Sequence, residues 1–312
     1  MSVASISERA AAVPHAAPLS DWIAARQARF EQFVQAHLLA EEREPRRLHA
    51  AMRYAVLNGG KRVRPLLVYA AGEFGAAADA TLDPIAAAIE FVHAYSLVHD
   101  DLPCMDDDVL RRGKPTVHVA FDEATAMLTG DALQAEAFRV LANAPVPAET
   151  GVTLIRDLAQ ASGTQGMCGG QAIDLAAVGL PMSASELETM HRMKTGALLR
   201  ASITMGAAAG RVSALERAAL ERYADAVGLA FQIVDDLLDA VATSAELGKT
   251  AGKDQRQSKP TYVSVLGTEA ARRWAERLRL DAHDALSGLG PEAQPRTVRL
   301  RQLADFIVQR RS

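Results

Sequence analysis

Several things this chain has little of narrow its class at once. Two cysteines in 312 residues, Cys104 and Cys168, leave no disulfide framework, and neither sits in a CxxC redox or metal pair, so a reducing cytoplasm fits. A net charge of −4 leaves no basic footprint for a nucleic acid. No run of about eighteen apolar residues occurs, so no membrane span is expected. Residues 1–18 lack the basic and apolar regions of a secretory signal and read as a flexible lead. Aromatics are 5% while apolar residues are 49%, so alanine and leucine supply the core, a mixture that favours helices. Runs of period two and internal repeats are missing as well. The expectation is all-α, with residues 19–312 as a single domain.

Against that plain background, one stretch is dense in charge. His99 to Thr116 carries five carboxylates within nine residues, Asp100, Asp101, Asp106, Asp107 and Asp108, followed directly by Arg111 and Arg112. Like charges so close need cations among them. Hard oxygen donors suit Mg²⁺, which completes its shell with water and substrate phosphates, and the arginines can clamp the same phosphates. A solvated acidic loop would have the same composition. A second cluster, Asp235, Asp236 and Asp239, interrupts an apolar-periodic segment from Ala218 to Val241. Asp235 and Asp239 are i, i+4 and share one helical face. Ile233, Val234, Leu237 and Leu238 surround them, where bare carboxylates are costly without cations. Two acidic sites on separate helices imply a cavity with facing metal-binding walls.

The remaining signals can be read in chain order. A first helix starts near Ser20-Asp21 and a second ends near Leu57. Asn58 to Pro65 follows as a glycine turn bearing Lys61, Arg62 and Arg64, an anion-binding composition without P-loop spacing. Asp83-Pro84 is expected to open the helix that carries the first acidic cluster. His93 stands two turns before Asp100 on nearly the same side, and Pro103 would end that helix so that Asp106 can return toward Asp100. One helix is expected over residues 119–143. Another over 153–165 would continue through Gly166 to Leu175, its glycines marking close helix approach. Ser183 or Ser185, and then Ser213, cap the next two helices. Helices over 268–286 and 296–311 end the chain.

These motifs together resemble the short-chain trans-isoprenyl diphosphate synthases, most closely the bacterial farnesyl type. The resemblance rests on GGKRVRP, DDLPCMD followed by RRG, GGQAIDL, MKTGAL, FQIVDDLLD and LGKTAGKD, in that order, and covers Trp22 to the C-terminus. It implies a bundle of ten or more helices around a central cavity, as a homodimer. It also implies Mg²⁺ as cofactor, about three ions per site with substrate bound. Asp100 and Asp106 would ligate Mg²⁺ with Asp101 in support; Asp235 would hold a further ion, with Asp239 acting through water. Arg111, Lys194, Lys249 and Lys259 would bind the allylic diphosphate. Lys61, Arg64, His93 and Arg112 would bind isopentenyl diphosphate. Thr195 and Gln232 match positions that face the reacting carbons, and Arg310-Arg311 could close over a substrate phosphate. The chain departs from the family pattern in the lead, which carries none of the motifs, and at Pro260 directly after Lys259.

The implied activity is condensation of isopentenyl diphosphate with dimethylallyl and geranyl diphosphates to (2E,6E)-farnesyl diphosphate. Product length is assigned to Tyr95 and Ser96. Tyr95 precedes Asp100 by five residues, about 7.5 Å along a helix, where its ring could floor the growing tail and Ser96 is too small to do so. Synthases of geranyl or geranylgeranyl diphosphate stay open. A terpene cyclase would have no use for the second basic set, an HD-type phosphohydrolase would need further histidine ligands, and a non-catalytic regulatory subunit would usually lack one acidic cluster.

Overall fold

The computed structural model describes residues 17–241 and 260–310. Lys249, Lys259, Arg311 and most of the lead lie outside the described residues. Fourteen α-helical segments carry the fold among the described residues. Eleven precede the break: α1 Leu19–His37, α2 Arg46–Leu57, α3 Val63–Phe74, α4 Asp79–Asp100, α5 Val117–Ala120, α6 Glu123–Ala142, α7 Ala148–Ser162, α8 Met167–Ala176, α9 Ala184–His191, α10 Ala197–Ala208 and α11 Ala214–Val241. Helices α12 Tyr262–Leu266, α13 Thr268–Ser287 and α14 Val298–Gln309 follow it. The only strands among the described residues are β1 Leu110–Arg111 and β2 Lys114–Pro115, a small antiparallel hairpin.

α4 is central because it can be buried almost all round. Leu82, Ile85, Ile89, Phe91 and Val92 alternate with Ala86, Ala87 and Ala88, and all are inaccessible. Such a helix has no polar face to offer water and must be enclosed by others. α6 and α3 flank it, α10 packs on α3, and α11 joins α10 to α13. Most buried apolar residues form one cluster from Trp22 to Ile307, and Ala51, Val98, Leu102, Val117 and Ala126 form a small second one beside the hairpin. The N-terminal helix is tied on by polar contacts: Trp22 Nε1 donates to Glu73 at 2.8 Å, and Arg29 pairs with buried Asp83 at 2.7 Å.

Three expected boundaries move. α4 begins at Asp79, so Pro84 lies inside it, and Asp83 is a buried acceptor for the Tyr69 hydroxyl at 2.8 Å rather than a helix opener. The expected helix over 119–143 is broken, because Asp122 caps α6 through the Thr125 amide at 2.6 Å. α8 is separate from α7, with Gly163 to Gly166 between them. Ser183, not Ser185, caps α9, in a reciprocal box with Glu186, and Ser213 and Glu216 make the same exchange before α11.

The basic turn between α2 and α3 is anchored by the residue that sequence reasoning left without a role. Arg62 adopts a left-handed backbone conformation, φ 53°, which aims its side chain inward. Its guanidinium donates to Glu90 at 2.9 Å and to the Val56 carbonyl at 2.6 Å, with side chains 1% and 3% exposed for the Arg–Glu pair. Removing one partner of such a buried pair leaves the other charged and unsolvated. Arg62→Met should therefore lower the unfolding free energy by about 3 kcal/mol, measured by urea denaturation at fixed protein concentration. Arg62→Met combined with Glu90→Leu should recover more than half of that loss. A single variant within about 0.5 kcal/mol of wild type would show that the pair does not hold the turn.

Candidate active site

A cavity of about 740 Å³ opens between the 58–64 turn, α4, the hairpin tip, α11 and the chain's C-terminus. Of the eight basic or imidazole groups expected to meet phosphate, six lie among the described residues, and five of these line it: Lys61, Arg64, His93, Arg111 and Arg112. Asp235, Asp239, Thr195 and Gln232 line it from the other side. Asp100 and Asp106 are not part of that lining. Asp100 ends α4 one helical turn past Leu97, and Asp106 lies in the segment that folds back on it.

Local sequence explains how each side chain arrives. The helix ends at Asp100, and residues 102–108 fold back, with the Asp106 amide donating to the Asp100 carbonyl at 2.8 Å and Asp108 to Asp101 at 3.1 Å. The expected return of Asp106 to Asp100 is thus made by the backbone. Beyond it the hairpin turns through Arg112 and Gly113, both at positive φ, 53° and 75°, the pair that a two-residue type I′ loop needs. This turn puts Arg112 at the tip, donating to the Gly59 carbonyl. A side chain at Gly60 would run into the Arg112 guanidinium 2.6 Å away, so the glycine turn and the hairpin tip are fitted to each other.

The third wall is a π-helical turn, Arg192–Gly196, between α9 and α10. Such insertions often mark functional sites, and here Thr195 of the turn lines the cavity while Lys194 reaches Asp174 on α8. Gly170 on α8 is required for the fit, since a Cβ there would lie 2.1 Å from the Lys194 amide nitrogen. The close approach expected of the GGQAIDL glycines is real. Thr195 donates to Gln232 Oε1 at 2.8 Å, and Gln232 donates to Asp236 at 2.9 Å. Asp236 also accepts from the Tyr262 amide at 2.7 Å, so this carboxylate ties α12 to α11.

Most acidic groups already have cationic partners. Arg111 binds Asp101 through Nε at 2.9 Å and Nη2 at 2.5 Å, so Asp101 positions an arginine. Lys194 donates to Asp174 at 2.6 Å and its charge also reaches Asp100. Arg310 pairs with Asp235 at 2.5 Å. Asp174, in the GGQAIDL motif, and Asp236 were missed by sequence reasoning because a single buried carboxylate has no periodic signature. Asp100 is pushed up to about 6, by burial first; Lys194 opposes this and Asp106 adds to it. His93 is held well below its usual range by burial and then by Arg64 and Arg112, so its ring is neutral. Among the described residues no three carboxylate, imidazole or thiol groups converge closely enough to hold an ion alone.

Of the expected chain-length pair, Tyr95 is 5% exposed. Its hydroxyl lies 3.6 Å from Cys168 Sγ on α8 and its ring meets His99 edge-on at 5.9 Å. Ser96 turns back to the His93 carbonyl at 2.9 Å.

Comparison with known proteins agrees with this architecture. The farnesyl diphosphate synthase of Escherichia coli is 50% identical over 263 residues, 83% of this chain and 88% of that one. The structure of a geranyltransferase from Helicobacter pylori, complexed with magnesium and isoprenyl diphosphate, superposes with a TM-score of 0.85 at 35% identity, covering 95% of this chain and 99% of that one. An FPP/GFPP synthase from Zymomonas mobilis gives 0.81 at 43% identity, with 93% and 98% coverage. Residues 45–284 match the family model described as polyprenyl synthetase, and the chain belongs to that family.

Proposed function

We propose that the protein is a Mg²⁺-dependent prenyltransferase that condenses isopentenyl diphosphate with dimethylallyl and geranyl diphosphates to give (2E,6E)-farnesyl diphosphate. The observation that carries this reading is one cavity in which Lys61, Arg64, His93 and Arg112 stand beside Asp235 and Asp239. Two phosphate-binding sets and two acidic walls are what a two-diphosphate substrate pair requires. A cyclase, with one diphosphate, would leave the Lys61 set without a partner.

The residues present fit a divalent metal. Burial first, and then the neighbouring Asp106, raise the Asp100 carboxyl, so a cation there would relieve both, and hard carboxylate oxygens are the donors Mg²⁺ prefers. Asp100 and Asp106 would hold ions on one wall, with Asp101 supporting them through Arg111. Asp235 would hold a further ion, with Asp239 through water. With substrate bound, the ions would number about three, completed by phosphate oxygens and water. When bound, the metal neutralises the charge that grows on the departing diphosphate.

The chain's own groups do the rest. Arg111, Lys194, Lys249 and Lys259 bind the allylic diphosphate. The neutral His93 donates one N–H to isopentenyl diphosphate beside Lys61, Arg64 and Arg112. The Thr195 and Gln232 oxygens, fixed by the chain of bonds to Asp236, face the allylic cation with the negative ends of their dipoles, a preorganised electrostatic effect. Holding the double bond against that carbon supplies much of the rate as proximity. The departing diphosphate takes the last proton, since no side chain is an evident base. A single domain over 19–312, a homodimeric assembly and a cytoplasmic location complete the proposal. No described helix is long and apolar enough to cross a membrane.

Three outcomes test it. Asp100→Asn should cut turnover at least about a hundredfold while stabilising the metal-free fold. The folded carboxyl titrates near 6, above its ordinary value of 3.8. Ionised Asp100 therefore costs the fold above pH 6, about 3 kcal/mol, and the advantage of Asn should vanish as pH falls below 4. Thermal unfolding across that range reads it. An Asp100→Asn protein with wild-type turnover would remove the first metal wall.

Lys61→Ala or Arg64→Ala should mainly raise KM for isopentenyl diphosphate, and Lys249→Ala should mainly damage the allylic half. Varying each substrate separately decides it. If Lys61→Ala weakened only the allylic substrate, the two sites would be reversed.

Chain length rests on Tyr95, whose ring reaches from α4 to Cys168 on α8 and so can floor the tail. Incubated with Mg²⁺, dimethylallyl diphosphate and excess isopentenyl diphosphate, the wild type should stop at fifteen carbons. Tyr95→Ala should extend the product to twenty or more with activity largely kept. Unchanged fifteen-carbon product would place the floor elsewhere and favour no length.

A further inference from the structure

Arg310 lies past the last helix, two residues from the chain end, where a side chain is ordinarily solvated. Here it is 5% exposed. Its Nη2 donates to Asp235 Oδ1 at 2.5 Å and to the Phe231 carbonyl at 3.0 Å, and its guanidinium carbon sits 4.1 Å over the Phe231 ring. Ion pair, carbonyl and ring face hold it from three directions. The helix before it is fixed to the body as well: the Tyr223 hydroxyl of α11 donates to the Leu300 carbonyl of α14 at 2.6 Å. Arg296, at the start of that segment, donates to the Phe74 carbonyl at 2.8 Å.

The partner of this cation is the carboxylate read above as a metal ligand. One oxygen of Asp235 is engaged by a full positive charge, and a divalent ion arriving there would meet both an occupied acceptor and a repelling neighbour. Arg310 lines the same cavity as Lys61 and Arg64, and its charge, after burial, lowers the Lys61 ammonium. The guanidinium therefore stands between the second acidic motif and the basic turn, within the field of both.

We infer that Arg310 is an internal counter-ion that competes with the divalent metal for Asp235 and leaves it only when a metal–diphosphate takes the carboxylate. Displaced, the guanidinium is left among Lys61 and Arg64 with no carboxylate, and the second diphosphate is the anion available to all three. Metal loading at Asp235 and recruitment of a third cation to the homoallylic phosphate become one event. The inference rests on reading Asp235 as a metal ligand.

Mn²⁺ alone, titrated without substrate and followed by electron paramagnetic resonance, tests both statements separately. Arg310→Gln keeps length and loses charge, so it should bind Mn²⁺ at least about fivefold more tightly than wild type. Arg310→Lys keeps the charge and should stay near wild type. In the pair Arg310→Gln with Asp235→Asn the gain should disappear. If Arg310→Gln gains nothing while the double variant loses Mn²⁺ relative to it, Asp235 is a ligand and the competition is wrong. If wild type, Arg310→Gln and the double variant all bind Mn²⁺ equally, Asp235 is not a ligand and the inference falls together with the reading beneath it.

Discussion

Three carboxylates in and around this cavity are each held by a cation that the reaction would need elsewhere. Asp101 holds Arg111, Asp174 holds Lys194 and Asp235 holds Arg310. Taking a charge out of water is expensive unless a partner of opposite sign comes with it. A site that takes two diphosphates with metal ions, as proposed above, must carry an excess of both signs in one partly enclosed space. Pairing them internally keeps the substrate-free protein folded. It also makes every arriving ligand an exchange of partners rather than a simple addition.

That constraint accounts for the unusual backbone. Arg62 and Arg112 both occupy left-handed conformations at φ 53°, which cost non-glycine residues free energy and persist where the surroundings over-determine them. At Arg62 the conformation turns one arginine of the basic run into the core to meet Glu90, leaving Lys61 and Arg64 on the cavity. At Arg112 it makes a hairpin tip that closes on Gly59 and Gly60. The π-turn at Arg192–Gly196 does comparable work, with Gly170 and Gly228 lying against its backbone. Of the four non-glycine residues at positive φ among the described residues, Arg62 and Arg112 aim cations, while Ala76 and Asp107 turn the chain after α3 and in the fold-back beyond α4.

How much of this was legible in the sequence follows from the range of the interactions concerned. Helices and the shared face of Asp235 and Asp239 could be read because periodicity and i, i+4 spacing are local; of the two acidic motifs expected to face one cavity, only the second lines it. The return of Asp106 to Asp100 could be read because proline ends a helix. Two boundary errors have one cause, a side chain with a distant or unexpected partner. Asp83 looked like a helix opener, yet its partners Arg29 and Tyr69 lie on other helices. Asp122 broke an alanine-rich run that composition alone would continue. Asp174, Asp236 and the burial of Arg62 were illegible for the same reason, since each is defined by one contact 20 or more residues away. The motifs indicated which residues matter. They did not indicate which of the charges would be spent on one another.

The exchange of partners has a consequence for what the cavity can bind. A diphosphate without metal could engage the basic turn, but it would leave the two acidic walls holding arginine and lysine away from it. A metal without diphosphate must displace those same cations from Asp235 and raise the positive charge of a cavity already lined by Lys61, Arg64, Arg111 and Arg112. Each half-step leaves charges of one sign unpaired in a partly desolvated space, where that is most costly. Metal and diphosphate arriving together satisfy both: the ions take the carboxylates, and the released guanidinium and ammonium groups take phosphate oxygens. The resting ion pairs thus favour the complete metal–diphosphate ligand over either of its parts, a selectivity that no single residue supplies and that follows from the charge balance of the cavity as a whole.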